Sequence, residues 1–257
     1  MRLATLLYHD VVPPGDPDST GFPGGAAGLY KLDWPVFDAH LERLGRVSPV
    51  APEAILDGTA EGWALTFDDG GRSAREIAEH LLSHGMRATF LITVDRIGTP
   101  GFVTRDDIRA LRASGHTVGS HSCSHPERMS QCTWEELRYE WGRSADVLSE
   151  ILAERVVTAS VPAGYYSRLV ARAAVSVGLR LLFTSEPVMR ARRVDGCLVV
   201  GRFTILRHTP PEVAAALAAG DRVERAKQVA VWNGKKALKR IGGRYYVAAR
   251  QKILAHR

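Results

Sequence analysis

Cysteine is scarce in this 257-residue chain, and the three residues present, Cys123, Cys132 and Cys197, form no CxxC pair. An odd number of isolated cysteines argues against a disulfide framework and is typical of a reducing compartment. No apolar run approaches the roughly 20 residues that a membrane-spanning helix needs. The first ten residues, MRLATLLYHD, hold one arginine and a short apolar stretch. We interpret that stretch as a strand rather than a secretory signal, and expect a cytoplasmic protein.

Acidic residues are almost missing from the end of the chain. From Arg222 to Arg257, eleven Lys and Arg stand against one acid, Glu224, whereas residues 1–221 carry 23 Lys and Arg against 27 Asp and Glu. The formal net charge of +6 therefore belongs to the end of the chain and does not indicate nucleic-acid binding by the whole protein. We predict a catalytic body over 1–221 and a basic, helical C-terminal tail over 222–257.

The predicted tail carries apolar residues every three or four positions over residues 231–257, interrupted by two glycines. The apolar positions are Leu238, Ile241, Tyr245, Ala249 and Ile253. A basic amphipathic helix can lie on an anionic membrane surface. It can equally pack against the mildly acidic body or remain solvated, so peripheral membrane contact is one of three alternatives. The sequence does not indicate an oligomeric state.

Strand-like and helix-like segments alternate along residues 1–221, after a long Pro/Gly/Asp loop from Pro13 to Gly25. The predicted strands are Leu3–Val11, Trp63–Phe67, Arg87–Thr93, His116–Ser120, Val156–Val161, Leu179–Ser185 and Cys197–Leu206. The predicted helices are Trp34–Leu44, Ser73–Ser83, Thr104–Gly115, Thr133–Glu154, Ser167–Val177 and one that Thr209 caps. This alternation predicts an α/β fold with a mainly parallel sheet, and the length favours a (β/α) barrel.

Two groups of polar residues follow predicted strands. Asp68 and Asp69 follow a strand in ALTFDDGGR, and His121 and His125 follow another in GSHSCSHP. The H-x-x-x-H spacing would place both imidazoles on one side of a helical turn. Two imidazoles and one carboxylate are a common ligand set for zinc. Each group also has a structural interpretation, a tight turn for the aspartates and surface or capping positions for the histidines.

TFDDG followed some fifty residues later by HSCSHP resembles the first two motifs of the NodB-type polysaccharide deacetylases, carbohydrate esterase family 4. The resemblance implies a distorted (β/α) barrel of seven or eight strands. It also implies metal-dependent removal of acetyl from an N-acetylated sugar. In that family Asp68 would be the general base, and Asp69, His121 and His125 would bind the divalent metal, for which we expect Zn²⁺.

The third motif of the family, Arg-x-Pro-x-Gly, corresponds to SVPAGYY and has Ser160 where the family has arginine. The family arginine orients the base, so this departure leaves the base without its expected partner. The backbone N–H of Ala163 would still stabilise the oxyanion, because a backbone donor does not depend on the side chain. Arg202 could supply the missing guanidinium, or it could be a solvated surface residue.

Further residues are expected around the substrate. The letters Leu-x-His of the last family motif match at His208, which would then be the general acid, although a plain loop residue is an alternative. His9 closes the first strand and either touches sugar hydroxyls or is packed in the core. Tyr165 and Tyr166 offer rings for stacking on a sugar, or pack in the core. We group these three with Arg202 as substrate-binding residues.

The sequence favours a cytoplasmic, metal-dependent N-deacetylase that acts on an N-acetylated sugar. A glycan precursor, a lipid-linked or nucleotide-linked sugar and an amino-sugar glycoside are the substrate classes that fit. One alternative is a hydrolase of a non-sugar amide or imide with the same metal. Another, motivated by Ser160, is a glycan-binding barrel with impaired catalysis.

Overall fold

The computed structural model of the protein describes residues 1–45, 49–50 and 52–234. The strands are β1 (Arg2–Tyr8), β2 (Val11–Val12), β3 (Leu32–Asp33), β4 (Glu61–Phe67), β5 (Thr89–Ile92), β6 (Thr117–Ser120), β7 (Thr158–Ser160), β8 (Leu181–Phe183), β9 (Arg192–Val194), β10 (Cys197–Val200) and β11 (Phe203–Thr204). The helices are α1 (Gly25–Gly28), α2 (Trp34–Leu44), α3 (Pro52–Leu56), α4 (Ala74–Ser83), α5 (Arg105–Ala113), α6 (Trp134–Leu152), α7 (Arg168–Ser176) and α8 (Pro211–Ala218). One further helix, here called the C-terminal helix, begins at residue 222 and is described as far as residue 234.

Nine strands form one curled sheet in the order β11-β1-β4-β5-β6-β7-β8-β10-β9. All neighbouring strands run parallel except β9, which pairs antiparallel with β10. The predicted distorted (β/α) barrel is confirmed, as a half-barrel whose eight parallel strands end at one edge. Loops that follow these strands therefore meet at that edge, where such folds carry their chemistry.

Local sequence explains most of these elements. In α2, Phe37, Leu41 and Leu44 are buried on one face, as their spacing predicts. The helices α5 and α6 each begin with a capping box, in which a threonine and an acid three residues later satisfy each other's backbone N–H. The sequence alone indicates the box of Thr133 and Glu136, whereas at α5 it indicates only that Thr104 caps the helix with Asp107 in its first turn.

Three predicted elements differ from the structure. The first strand ends at Tyr8 and a short separate strand follows. The strand predicted over residues 197–206 is divided into β10 and β11 by Gly201 and Arg202. A side chain at Gly201 would meet the backbone of Glu186, so this position requires glycine. Helix α8 has Pro210 as its N-cap, since the Thr209 hydroxyl accepts the backbone N–H of Leu206 instead.

The C-terminal segment is helical as far as it is described, and Gln228 donates to the carbonyl of Thr204 on the edge strand β11. The apolar stripe predicted from Leu238 to Ile253 lies outside the described residues. The boundary at residue 221 stays a prediction. Among the described residues, no helix is both long and apolar enough to cross a membrane.

Candidate active site

The two adjacent aspartates leave β4 in different directions. Asp68 follows directly after the last residue of the strand, and its N–H donates to the carbonyl of Tyr8. Asp69 has a φ of 78° and Gly70 a φ of 79°, so the backbone turns through the left-handed region. Aspartate tolerates this conformation better than most residues. The turn separates two carboxylates that would otherwise compete for the same partners.

Asp68 is held by a fully buried arginine. Arg202 donates from both terminal nitrogens to the two carboxylate oxygens of Asp68, at 2.6 and 2.7 Å, and from Nε to the carbonyl of Thr184 at 3.1 Å. The Ser160 hydroxyl donates to Oδ1 of Asp68 at 3.1 Å. The guanidinium expected from position 160 thus reaches the carboxylate from position 202. Arg202 lies beneath Asp68, away from solvent, and not on an exposed substrate surface.

These contacts set the charge of Asp68. Burial raises the pKa of this carboxyl group, but the positive charge of Arg202 and the neighbouring His121 outweigh burial and leave the pKa below its ordinary value. Asp68 is therefore ionised at neutral pH. A buried carboxylate with a paired guanidinium is able to accept a proton while its orientation stays fixed.

Asp69, His121 and His125 form a compact group of possible metal ligands. One atom from each side chain lies within 4.8 Å of the others. Nε2 of His121 and Nε2 of His125 lie 3.3 and 3.6 Å from Oδ1 of Asp69. Burial raises the pKa of Asp69, but the hydrogen bond with His121 and the nearby imidazoles outweigh it, so the pKa is lowered. The carboxylate is therefore charged.

A hydrogen-bonded chain fixes which nitrogen of His121 faces Asp69. The Ser160 hydroxyl donates to Asp68, so it accepts from Nδ1 of His121, at 2.6 Å. When His121 is protonated on both nitrogens, Nε2 donates to Oδ1 of Asp69, and this is the hydrogen bond that lowers the pKa of Asp69. When His121 is neutral, its proton stays on Nδ1 and Nε2 presents its lone pair to Oδ1 of Asp69. Two acceptors 3.3 Å apart repel unless a proton or a cation lies between them. The residues therefore fit a divalent cation, with Ser160 orienting one ligand.

The loop after β6 is strained, and a helix residue holds it. Ser122 and His125 have φ values of 66° and 61°, which places both in the left-handed region. The buried carboxylate of Glu140 on α6 accepts the backbone N–H groups of Cys123 and Ser124, each at 2.9 Å, and the Ser124 hydroxyl at 2.6 Å. The helical turn expected for the H-x-x-x-H spacing is wrong. The imidazoles meet through this strained loop instead.

His9 and His208 differ in how far they are exposed to solvent. His9 lies close enough to Asp69, Asp68 and His121 for their charges to act on it, and its Nδ1 atom is buried. Burial lowers the pKa of His9 and outweighs the two carboxylates. His208 lies exposed in the turn before α8. From the sequence, His9 was expected at the end of the first strand as a packed or sugar-contacting residue, and the influence of the two aspartates on it was not predicted.

The loop after β7 carries the other predicted residues. Ala163 is exposed with a φ of 52°, and Gly164 follows with a φ of 68°. Gly164 and Tyr165 donate their N–H groups back to Val161 and Pro162. Tyr166 lies 5.0 Å beneath a guanidinium and packs partly in a core cluster. Sugar stacking by either tyrosine stays a prediction.

The Pro/Gly/Asp loop before α1 is pinned by Lys31, a residue that the sequence analysis did not single out. The buried ammonium of Lys31 donates to the carbonyls of Pro17, Thr20 and Phe22 at 2.6–2.7 Å. The ring of Phe22 consequently lies 4.8 Å from the imidazole of His125. This loop forms an aromatic side of the site.

A buried carboxylate joins the same loop to the turn after β4. Asp10 accepts hydroxyl groups from Thr20 and Ser73. A Cβ atom at Gly21 or Gly71 would overlap an oxygen of Asp10. Both positions therefore require glycine while Asp10 is present.

A family model described as polysaccharide deacetylase matches residues 57–182. The Bacillus subtilis polysaccharide-deacetylase-type protein YxkH is 26% identical over 201 residues, which are 74% of this chain and 67% of YxkH. The peptidoglycan-N-acetylglucosamine deacetylase PgdA of Listeria monocytogenes is 38% identical over 87 residues, which are 33% of this chain and 18% of PgdA. The chain thus spans under a fifth of that relative.

Solved structures share the fold. The deacetylase PplD of Streptococcus pyogenes, solved with acetate, has a TM-score of 0.69 at 20% identity and covers 82% of this chain and 96% of its own. IcaB from Ammonifex degensii has a TM-score of 0.69 at 21% identity, covering 85% of this chain and 97% of its own. At these identities the likeness establishes the architecture.

Proposed function

Because the chain belongs to the NodB-type polysaccharide deacetylase family, we propose that it is a metal-dependent hydrolase that removes acetyl from an N-acetylated sugar. The observation that carries this proposal is that three possible metal ligands lie beside a carboxylate whose orientation is fixed. Asp69, His121 and His125 can hold a cation, and Asp68 beside them is ionised and oriented.

Each of these groups has a distinct role in the proposed reaction. A divalent cation on the three ligands, for which we propose Zn²⁺, would lower the pKa of water and polarise the acetyl carbonyl. Asp68 takes a proton from the attacking water, while Arg202 and Ser160 hold its orientation. The backbone N–H of Ala163, an exposed residue of the loop after β7, donates to the carbonyl oxygen as negative charge develops.

The leaving amine needs a proton, and two histidines compete for this role. His9 is close enough to Asp68, Asp69 and His121 for their charges to act on it, but burial lowers its pKa, so its neutral form must gain a proton before it can donate one; His208 lies on an exposed turn. His208 as general acid stays a prediction from the sequence, and His9 is the alternative. Of His9→Asn and His208→Asn, the variant that removes the general acid should lower turnover about 100-fold, the lower end for general acid catalysis, and the other should leave it within about threefold. Turnover at equal metal content decides between the two histidines.

The first experiment measures acetate release from a panel of free, oligomeric and nucleotide-linked N-acetyl sugars, with an N-alkylacetamide to represent the non-sugar alternative. Asp68→Asn should lower turnover about 100-fold or more while the metal-to-protein ratio stays that of the wild type. Metal content by mass spectrometry and the thermal midpoint are the controls. No acetate from any sugar, with one metal bound, would reject the proposal and favour the glycan-binding alternative.

We also propose a cytoplasmic location and a soluble or membrane-linked sugar precursor as substrate. The odd cysteines, all three free in the structure, and the basic end of the chain support this choice. Peripheral contact of residues 231–257 with anionic membranes is tested by sedimentation with anionic liposomes at low salt.

A further inference from the structure

The C-terminal helix reaches from one end of the barrel to the other. Arg222 and Arg225 border a groove with Arg2, the first residue of β1. Gln228 bonds the end of β11. Trp232 lies ten residues beyond Arg222, about 15 Å along a helix axis, and reaches the loop after β7. The described part of the helix therefore extends to the edge of the sheet where the catalytic groups lie.

Trp232 packs directly against the loop that carries Ala163. Its Cη2 atom lies 3.1 Å from the place where a Cβ of Gly164 would be, and Ser185 lies 3.0 Å from the same place on another side. Gly164 is therefore confined between a serine after β8 and an indole from the C-terminal helix. Ala163 and Gly164 both have left-handed backbones, which an unsupported loop would readily leave.

We propose that the C-terminal helix completes the active site, with Trp232 as a positioning residue for the Ala163 N–H. This inference rests on the proposed deacetylase function, because Ala163 matters only if an oxyanion forms there. Trp232 acts through Gly164: it confines the glycine and thereby keeps the preceding N–H aimed at the reacting carbonyl. Residues 1–221 would then hold the ligands and the base but not a fixed oxyanion donor.

The test compares Trp232→Ala with Val231→Ala in the full-length protein. Val231 is the adjacent helix residue and is 57% exposed, so its variant removes apolar surface without touching the loop. Hydrogen exchange of a peptide over residues 161–167 reports loop order without any substrate. Trp232→Ala should speed that exchange about tenfold, equivalent to about 1.4 kcal/mol, and should lower kcat about tenfold with unchanged metal content. Val231→Ala should change neither.

Gly164→Ala provides a coupled measurement. The added methyl group meets Trp232 in the wild-type protein but not in Trp232→Ala, so the effects of the two substitutions on exchange should be non-additive. Additive effects, or exchange unchanged in Trp232→Ala, would overturn the proposal. Faster exchange with unchanged kcat would also overturn it, because the loop would then not need Trp232 for catalysis. A wild-type protein that releases no acetate rejects the deacetylase function instead, while the exchange data still decide the packing.

Discussion

The loop after β4 and the loop after β7 are held by different physical forces. One hydrogen bond nevertheless links the two regions, from Ser160 at the end of β7 to Asp68 directly after β4. Asp68 is fixed by a buried guanidinium and a hydroxyl, which are directional and charge-dependent contacts. The Ala163 loop is fixed by shape, because Gly164 fits between Ser185 and Trp232. The orientation of Asp68, the proton acceptor, should therefore depend on pH and on substitutions that change charge. The orientation of the Ala163 N–H, the oxyanion donor, should depend on substitutions that change side-chain volume.

Breaking the charged contact should have the largest effect. Arg202→Ala leaves Asp68 buried without its partner and should lower the free energy of unfolding of the metal-free protein by about 3–5 kcal/mol at pH 7. Without Arg202, burial dominates and raises the pKa of Asp68, so the acidic limb of the activity profile moves to higher pH. Urea unfolding and the pH dependence of kcat measure both effects.

The pH dependence of this stability difference has a definite sign. The pKa of Asp68 is depressed in the folded wild-type protein, so its stabilisation is present above the unfolded pKa of about 3.9 and is lost as the pH falls through the folded pKa. The unfolded state is the same for both proteins, so the stability difference between wild type and Arg202→Ala should narrow as the pH falls below the raised pKa of Asp68 in the variant, and should go on narrowing down to the depressed pKa of Asp68 in the wild type. Arg202→Lys keeps the charge but not the two parallel bonds, so it should recover only part of the loss. A gap that is constant with pH would show that packing, not charge, holds Asp68.

Glu140 holds the loop after β6 by contacts of the same charged kind, and its removal should have an intermediate effect. Glu140→Ala removes the acceptor of two backbone N–H groups in the loop between His121 and His125, so metal affinity should fall about 10–100-fold. Chelator competition measures it. Asp146→Asn, on an exposed part of the same helix, is the matched control and should leave affinity unchanged. Unchanged affinity in Glu140→Ala would mean that the ligand loop is held in other ways.

Ser160 connects the loops, and its removal should have the smallest effect. Ser160→Ala deletes a donor to Asp68 and leaves Nδ1 of His121 buried without its acceptor, a loss of about 1–3 kcal/mol in total. Metal affinity and kcat should both fall, because the serine touches a ligand and the base. Ser176→Ala is the control, since that hydroxyl bonds only a carbonyl within its own helix. A change in only one of the two quantities would separate the base from the metal trio.

The sequence predicted those features of the protein that depend on residues close to one another along the chain. The barrel, the capping box of Thr133 and Glu136 and the neighbouring residues of each motif follow from periodicity and adjacency along the chain. The contact between Arg202 and Asp68 joins positions 134 residues apart, and no local pattern specifies it. Glu140 looked like an ordinary helix residue, because its partners lie in a loop on another element.

Two histidines illustrate the same limit. His208 matches a motif by its letters, but its turn is exposed. His9 matches no family motif and was expected near the substrate only because it closes the first strand; the pairing of β1 with β4 brings it within the influence of the two carboxylates. Proximity across a parallel sheet is set by strand order, which the sequence alone did not supply.

Asp10 and the two glycines that crowd it have a consequence for how this chain can vary. Positions 10, 21 and 71 share one fixed volume, so they cannot be exchanged independently. A library that randomises position 71 alone should return almost only glycine, whereas one that varies 10 and 71 together should also return pairs with a smaller residue at 10. The Pro/Gly/Asp loop and the turn after β4 are thus coupled through Asp10 and have to be exchanged together. Grafting either of them into another barrel would require both.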